Sequence, residues 1–143
     1  MKLLGVDYGR RRIGTAISDE TGITTRGLKV IDRKIDPDPL KTIASLFLEH
    51  VPEAVVFGLP LGPDDQETIM SLEVRAFAAQ LIPLLPERTA IHFVDESFSS
   101  VEAHVYMSDH TRKKKREQRG AADLIAACTI IRNYLREKDS PVW

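Results

Sequence analysis

A chain of 143 residues, 43% of them hydrophobic, is long enough to bury one substantial core and too short for two comfortable ones, so a single domain over residues 1–143 is expected. The formal net charge of -1 excludes a globally basic nucleic-acid binder and leaves any affinity for polyanions to local patches. One cysteine, Cys128, excludes an internal disulfide and fits a reducing compartment. The chain shows no apolar signal core and no apolar run near the roughly 20 residues that cross a bilayer, so a soluble, cytoplasmic protein without membrane association is expected.

In chain order, Leu3, Leu4 and Val6 form a short apolar run that reads as a buried strand. It ends in one carboxylate, Asp7, bracketed by Gly5 and Gly9 and followed by Arg10, Arg11 and Arg12. An ionised acid at the end of a buried strand must be paired, hydrogen-bonded or bound to metal, so Asp7 is either balanced by an arginine or a ligand. Ile13 to Ser18 reads as a second strand, joined to the first as a hairpin and turning over Asp19 to Gly22, and Gly27 to Ile31 as a third. A polar loop over Asp32 to Pro37 leads to a helix with Asp38 as its N-cap and Pro39 in its first position; Leu40, Ile43, Ala44 and Phe47 recur on one face.

Glu53 to Pro60 is a strand whose core, Ala54-Val55-Val56-Phe57, is continuously apolar, as when both sheet faces are covered. The loop Gly58 to Asp65 follows, where parallel strands empty into a crevice that open α/β sheets use for ligands. Met70, Val74, Phe77 and Leu81 mark a helix closed by Pro83 and Pro86. Ala90 to Val94 is a further strand, ending in Asp95-Glu96. Ser99 and Glu102 have capping-box spacing for a helix carrying Val101 and Val105. A basic segment, Asp109 to Arg119, precedes a last helix over about Gly120 to Lys138; rich in lysine and poor in apolar anchors, the segment is expected to order on substrate. The order β-β-β-α-β-α-β-α-α gives a mixed sheet with an antiparallel hairpin edge and helices on both faces.

Asp123 is the odd residue of the last helix. It shares its side of the cylinder with Ala126, Ala127 and Ile130, and aspartate is a poor interior helix former. A salt bridge to Arg119 one turn earlier is the plain explanation; convergence with Asp7 and Asp95-Glu96 is the functional one. Carboxylates gathered from separate elements, without matching histidines or cysteines, make a hard oxygen site for magnesium or manganese. Two such ions about 4 Å apart suit phosphodiester cleavage. His50, His92, His104 and His110 lack metal-ligand spacing, Cys128 reads as core, and Tyr8 points to the face opposite Asp7 and reads as packing. Neither a GxSxG nor a Walker-type loop is present.

The motifs GVDYGRRRIGTAISD, VVFGLPLG, VDESFSS and ADLIAACTIIRNYL, in this order along nearly the whole chain, resemble the YqgF family, also called RuvX, of RNase H-like proteins. The resemblance implies an α/β RNase H-like core, a mixed five-stranded sheet with its first three strands antiparallel, flanked by helices. It implies a divalent-metal nuclease associated with pre-16S rRNA processing, or with Holliday-junction resolution. Carried over by position, the catalytic and metal-binding acids are Asp7, Glu96 and Asp123, with Asp95 as the alternative to Glu96, around two Mg2+ or Mn2+ ions. Gly9 and Gly14 match the hairpin glycines, and Gly5 joins them as a structural glycine. Arg10, Ser97, Ser99, Ser100 and the loop Gly62-Pro63-Asp64-Asp65 depart from the usual family pattern, which bears on substrate contact and leaves the three acids intact.

Two basic clusters flank these acids in sequence: Arg10, Arg11 and Arg12 beside Asp7, and Arg112, Lys113, Lys114, Lys115, Arg116 and Arg119 before Asp123. They are candidates for phosphate contacts that position a nucleic acid without reading its bases. Three functions are thereby in view: a metal-dependent nuclease acting on precursor rRNA at its 5′ end; a resolvase cutting branched DNA as a homodimer, since paired cuts favour two-fold symmetry; and a non-catalytic nucleic-acid-binding module whose acids are structural.

Overall fold

The computed structural model describes residues 1–96 and 112–138, with side chains from residue 117 onward in the second stretch. Five strands form one sheet: β1 (Leu3–Asp7), β2 (Arg12–Ser18), β3 (Thr25–Asp32), β4 (Ala54–Leu59) and β5 (Ala90–Asp95), in the order β3-β2-β1-β4-β5. The β1–β2 and β2–β3 pairs are antiparallel, whereas β1–β4 and β4–β5 are parallel. The expected mixed sheet, its first three strands antiparallel, is therefore the observed one. β3 is longer than the apolar run Gly27 to Ile31 indicated, because pairing with β2 carries it out to Thr25 and Asp32.

Parity along the strands divides the interior in two. On one face Leu4, Val6, Ile13, Ile17, Val55 and Phe57 pack under helices α1 (Pro39–His50) and α2 (Ile69–Leu81). On the other, Leu3, Ala16, Ala54, Val56 and Val94 pack against Ala127, Cys128, Ile130 and Ile131 of α3 (Arg112–Lys138). β4 lies centrally and is buried along its whole length, which accounts for its unbroken apolar run. The Asp38 carboxylate caps α1 by accepting from the Lys41 N–H at 3.2 Å, with Pro39 in the first turn. α2 carries a capping box that its sequence hides: Thr68 accepts from the Ser71 N–H, and Ser71 Oγ, in place of the usual glutamate, accepts from the Thr68 N–H at 2.7 Å.

The last helix differs from expectation. The chain is already helical at Arg112, well before Gly120, so the described part of the basic segment, from Arg112 to Arg119, is helix. Lysine, arginine, glutamate and glutamine are good helix formers, and a single glycine costs a helix only about 1 kcal/mol, so Gly120 is carried inside the helix and does not begin it. The expected helix over Val101 and Val105, with its Ser99–Glu102 cap, lies outside the described residues.

The β2–β3 turn is organised by one side chain. The Asp19 carboxylate accepts from Thr21 Oγ1 and Thr24 Oγ1, both at 2.8 Å, and from the Ile23 N–H at 3.1 Å, while Gly22 supplies the left-handed backbone at φ 77°. The threonine hydroxyls above all hold the Asp19 carboxyl down at about 2. An acid whose pKa is lowered by folding contributes stability above its ordinary value near 3.8, and loses that contribution as pH falls toward 2. Asp19→Ala is therefore expected to lower the melting temperature by a few degrees at neutral pH, with the gap closing between pH 4 and 2 in calorimetric scans of the two proteins.

Candidate active site

The three acids come from three elements that meet at one end of the sheet, two of them at strand ends and the third from within α3. Asp7 closes β1, paired in register with Gly14 of β2. Glu96 directly follows β5 and is held by its own N–H, which donates to the Leu59 carbonyl at the end of β4 at 3.1 Å. Asp123 lies on α3 where that helix crosses β2, so close that a Cβ built on Gly14 would stand 2.2 Å from the Asp123 carbonyl oxygen. Strand parity separates Asp95 from Glu96. Phe93 belongs with the α1 and α2 side and Val94 with the α3 side, so Glu96 falls on the α3 side with Asp7 and Asp123.

Asp7 and Glu96 are in direct contact through a side-chain hydrogen bond. Two carboxylates can share such a bond only if one holds a proton. Burial, followed by the charge of Asp7 and the bond to it, drives Glu96 up to about 10. Asp7 rises to about 6, chiefly through burial, with Asp123 adding repulsion and the bond from Glu96 opposing it. Both acids are thus pushed up, and as a pair they hold a proton between them near neutral pH. Gly58, beneath the pair, leaves the room Glu96 needs: a Cβ there would lie 2.5 Å from Glu96 Oε2.

Each of the three arginines after Asp7 pairs with another acid. Arg12 Nε donates to Asp123 Oδ2 at 2.8 Å in a partly buried bond, Arg11 approaches Asp32 at 3.6 Å, and Arg10 forks onto Glu73 of α2. Asp123 therefore takes its salt bridge from Arg12, 111 positions away in sequence. Among the described residues no three His, Cys, Asp or Glu side chains are gathered tightly enough to hold a metal ion as they stand. Asp7 and Glu96 form the close pair, and Asp123 stands within electrostatic reach. The donor chemistry nevertheless suits a hard divalent cation, whose charge would relieve the repulsion between these half-buried acids.

Gly5 and Gly9 serve the same end of the sheet. A Cβ on Gly5 would stand 2.7 Å from the Ala127 carbonyl, so the glycine lets α3 lie close on the sheet, and one on Gly9 would stand 2.3 Å from the Arg12 carbonyl within the tight β1–β2 turn. Of the second basic cluster, Arg112, Lys113, Lys114, Lys115 and Arg116 occupy the first turns of α3 and Arg119 lies one turn before Asp123. Tyr8 packs on Phe77 with ring centroids 5.0 Å apart, as expected of a residue facing away from Asp7. Cys128 is buried in the α3-side core. Glu73 and Arg33, on the α2 side of this end, carry no signal in the sequence; Gly58 is legible there only as the start of the loop after β4 and part of the VVFGLPLG motif.

The RuvX family model, described as Holliday junction resolvase, matches residues 1–137. The chain belongs to the RuvX family. A relative from Halothermothrix orenii is 36% identical over 137 residues, covering 94% of both chains, and one from Crocosphaera subtropica is 32% identical over 135 residues, covering 94% of this chain and 92% of that one; each is named "Putative pre-16S rRNA nuclease". Among solved structures, fowlpox virus resolvase in complex with its Holliday junction DNA superposes with a TM-score of 0.59 at 14% identity, covering 98% of this chain and 100% of that one. Thermus thermophilus RuvC in complex with a Holliday junction substrate gives 0.52 at 13% identity over 96% of each chain. At such identities these likenesses establish the fold, which is that of RNase H-like resolvases, and the family membership places the chain among nucleases. No described helix is long and apolar enough to cross a membrane.

Proposed function

We propose that this protein is a divalent-metal-dependent nuclease that hydrolyses phosphodiester bonds of RNA, acting on the 5′ end of the precursor of 16S rRNA. The observation that carries the catalytic part is the half-buried Asp7–Glu96 pair, two acids held together at the end of the sheet with Asp123 near enough to raise Asp7. Acids raised by burial and by one another at a strand end are the kind of group that gathers at functional sites. Asp7 and Glu96, with Asp123 as the third carboxylate, would hold Mg2+ or Mn2+, and two such ions would supply an activated water and charge stabilisation at the phosphate. The chain's own part is to hold its acids rigidly from strand ends and α3, to keep Asp123 oriented through Arg12, and to present cations from the β1–β2 turn and the start of α3 to the substrate backbone. The RNA assignment is supported by the names of the relatives that match across 94% of the chain.

A second reading, cleavage of branched DNA by a homodimer, is favoured by the description of the family model. One experiment separates the readings. The protein and its Asp7→Asn variant are incubated with Mg2+ or Mn2+ and precursor rRNA, a four-way DNA junction, or single-stranded oligomers, with the sedimentation coefficient recorded alongside. Cleavage of the precursor that is lost in the variant supports the first reading; symmetric cutting of the junction by a dimer moves the assignment to the second. Cutting that persists in Asp7→Asn removes the site, and no cutting of any substrate by a protein that still binds nucleic acid makes it a binding module. Affinity for the oligomer is expected to fall steeply with salt, as required of phosphate contacts from the two basic clusters; affinity indifferent to salt removes those contacts.

A further inference from the structure

On the α2 side of the same strand end lies a group of four side chains that the acid site does not use. Glu73 of α2 receives Arg10 as a fork, with Arg10 Nε 3.1 Å from Oε1 and 3.0 Å from Oε2 and Arg10 Nη2 also donating to Oε1. The Tyr8 hydroxyl reaches Glu73 Oε2 at 3.5 Å. Arg33 lies over the Tyr8 ring at 5.2 Å and the Phe77 ring at 5.8 Å, and its Nη1 donates to the Gly9 carbonyl at 3.1 Å. Arg33 is thereby fixed in place by two aromatic faces and a backbone acceptor, while no carboxylate forms an ion pair with it among the described residues.

A guanidinium fork, a phenol hydroxyl and a second, preorganised guanidinium around one anionic group are what binds a phosphate as well as a carboxylate. The anion present is the protein's own. We propose that Arg10, Arg33 and Tyr8 form a binding site for a backbone phosphate of the nucleic acid, and that the Glu73 carboxylate stands in for that phosphate until substrate displaces it. The assignment rests on the nucleic-acid reading given above. Two features fit displacement. The Arg10 side chain is 63% exposed and that of Glu73 34%, and an exposed pair of this kind holds weakly against a competitor. The site also adjoins the chemistry, since the carbonyl gripped by Arg33 belongs to Gly9, two residues from Asp7, so a phosphate bound there belongs to a nucleotide close to the one being cut. Arg10 above all, with smaller help from Tyr8 and Arg33, holds the Glu73 carboxyl below its usual range, so the surrogate keeps its charge at neutral pH.

The test is a gain of binding, which misfolding cannot imitate. Binding of a fluorescent single-stranded RNA is titrated at several salt concentrations with EDTA present, for the wild type, Glu73→Gln, Arg33→Gln and the Arg10→Gln/Glu73→Gln double variant. Glu73→Gln is expected to bind about 3- to 10-fold more tightly at low salt, with the slope of log affinity against log salt steeper by about 0.7, one further phosphate contact on a single strand. The double variant is expected to lose that gain, and Arg33→Gln to bind more weakly with a shallower slope. If the wild type binds with a clear salt dependence while Glu73→Gln and Arg33→Gln match it, the phosphate site is overturned and the nuclease reading stands. If the wild type does not bind nucleic acid at all, the nuclease reading falls and takes the site with it.

Discussion

Glu96→Gln is expected to raise the melting temperature of the metal-free protein at pH 8 and, on the metal-dependent nuclease reading proposed above, to lower activity by about 10^3-fold or more, several kcal/mol at the transition state. The stability half follows from the direction of the two shifts. Asp7, raised from 3.8 to about 6, and Glu96, raised from 4.5 to about 10, are acids that the fold prefers protonated. Their contribution is fully present below about pH 4, where both states carry the protons. It is lost as pH rises, through 6 for Asp7 and onward toward 10 for Glu96. Glutamine donates to Asp7 as protonated Glu96 does, without an ionisation to suppress, so at pH 8 the variant gains on the order of 2 kcal/mol, several degrees in a chain of this size. Thermal scans of the EDTA-treated proteins from pH 4 to 9 check it. The wild-type curve is expected to fall across that range and the variant's to be flatter; parallel curves would mean that the two acids do not share a proton. Added Mn2+ is expected to stabilise the wild type and leave Glu96→Gln nearly unmoved.

The second large effect concerns a residue with no chemistry of its own. Gly14→Ala places a methyl group 2.2 Å from the Asp123 carbonyl oxygen and 3.2 Å from Asp123 Cβ, and the obstacle is helix backbone that cannot rotate aside. Overpacking of this kind costs about 3 kcal/mol. Because the strain is relieved by moving α3 away from β2, Asp123 withdraws from Asp7 and activity falls as well. Denaturant titration read against activity separates the two consequences: Gly14→Ala is expected to lose both stability and cutting, where Glu96→Gln loses cutting alone. A Gly14→Ala protein of wild-type stability would show that the helix does not lie against the strand as described.

These two residues also mark how far the sequence could be read. The architecture was legible because its signals are local: the unbroken apolar run of β4 marks a central strand, and Asp38 followed by Pro39 marks a helix start. The acids could be paired from sequence because each ends an apolar element or interrupts one. Parity then separates Glu96 from Asp95, a step that needs the end of β5 to be known. What could not be read is set by contacts between distant positions. Nothing about Arg12 indicates Asp123 rather than Asp7 as its partner, and nothing about Arg10 indicates Glu73, because spacing along a chain does not encode approach across a sheet. The start of α3 was misjudged for a different reason. Gly120 resembles a boundary, but a run of good helix formers on one side and a well-packed apolar face on the other carry the helix through it.

That continuous helix has a mechanical consequence. At about 1.5 Å per residue, the seven residues from Arg116 to Asp123 hold the basic stretch at a set distance of roughly 10 Å from the acid, and the 27 residues from Arg112 to Lys138 form a single strut of about 40 Å. Lys138 reaches the Met1 sulfur at 3.4 Å, and the middle of the helix is seated on Gly5 and Gly14. A strut seated on the sheet in this way behaves as a gauge, fixing one spacing and one angle between its basic turns and Asp123.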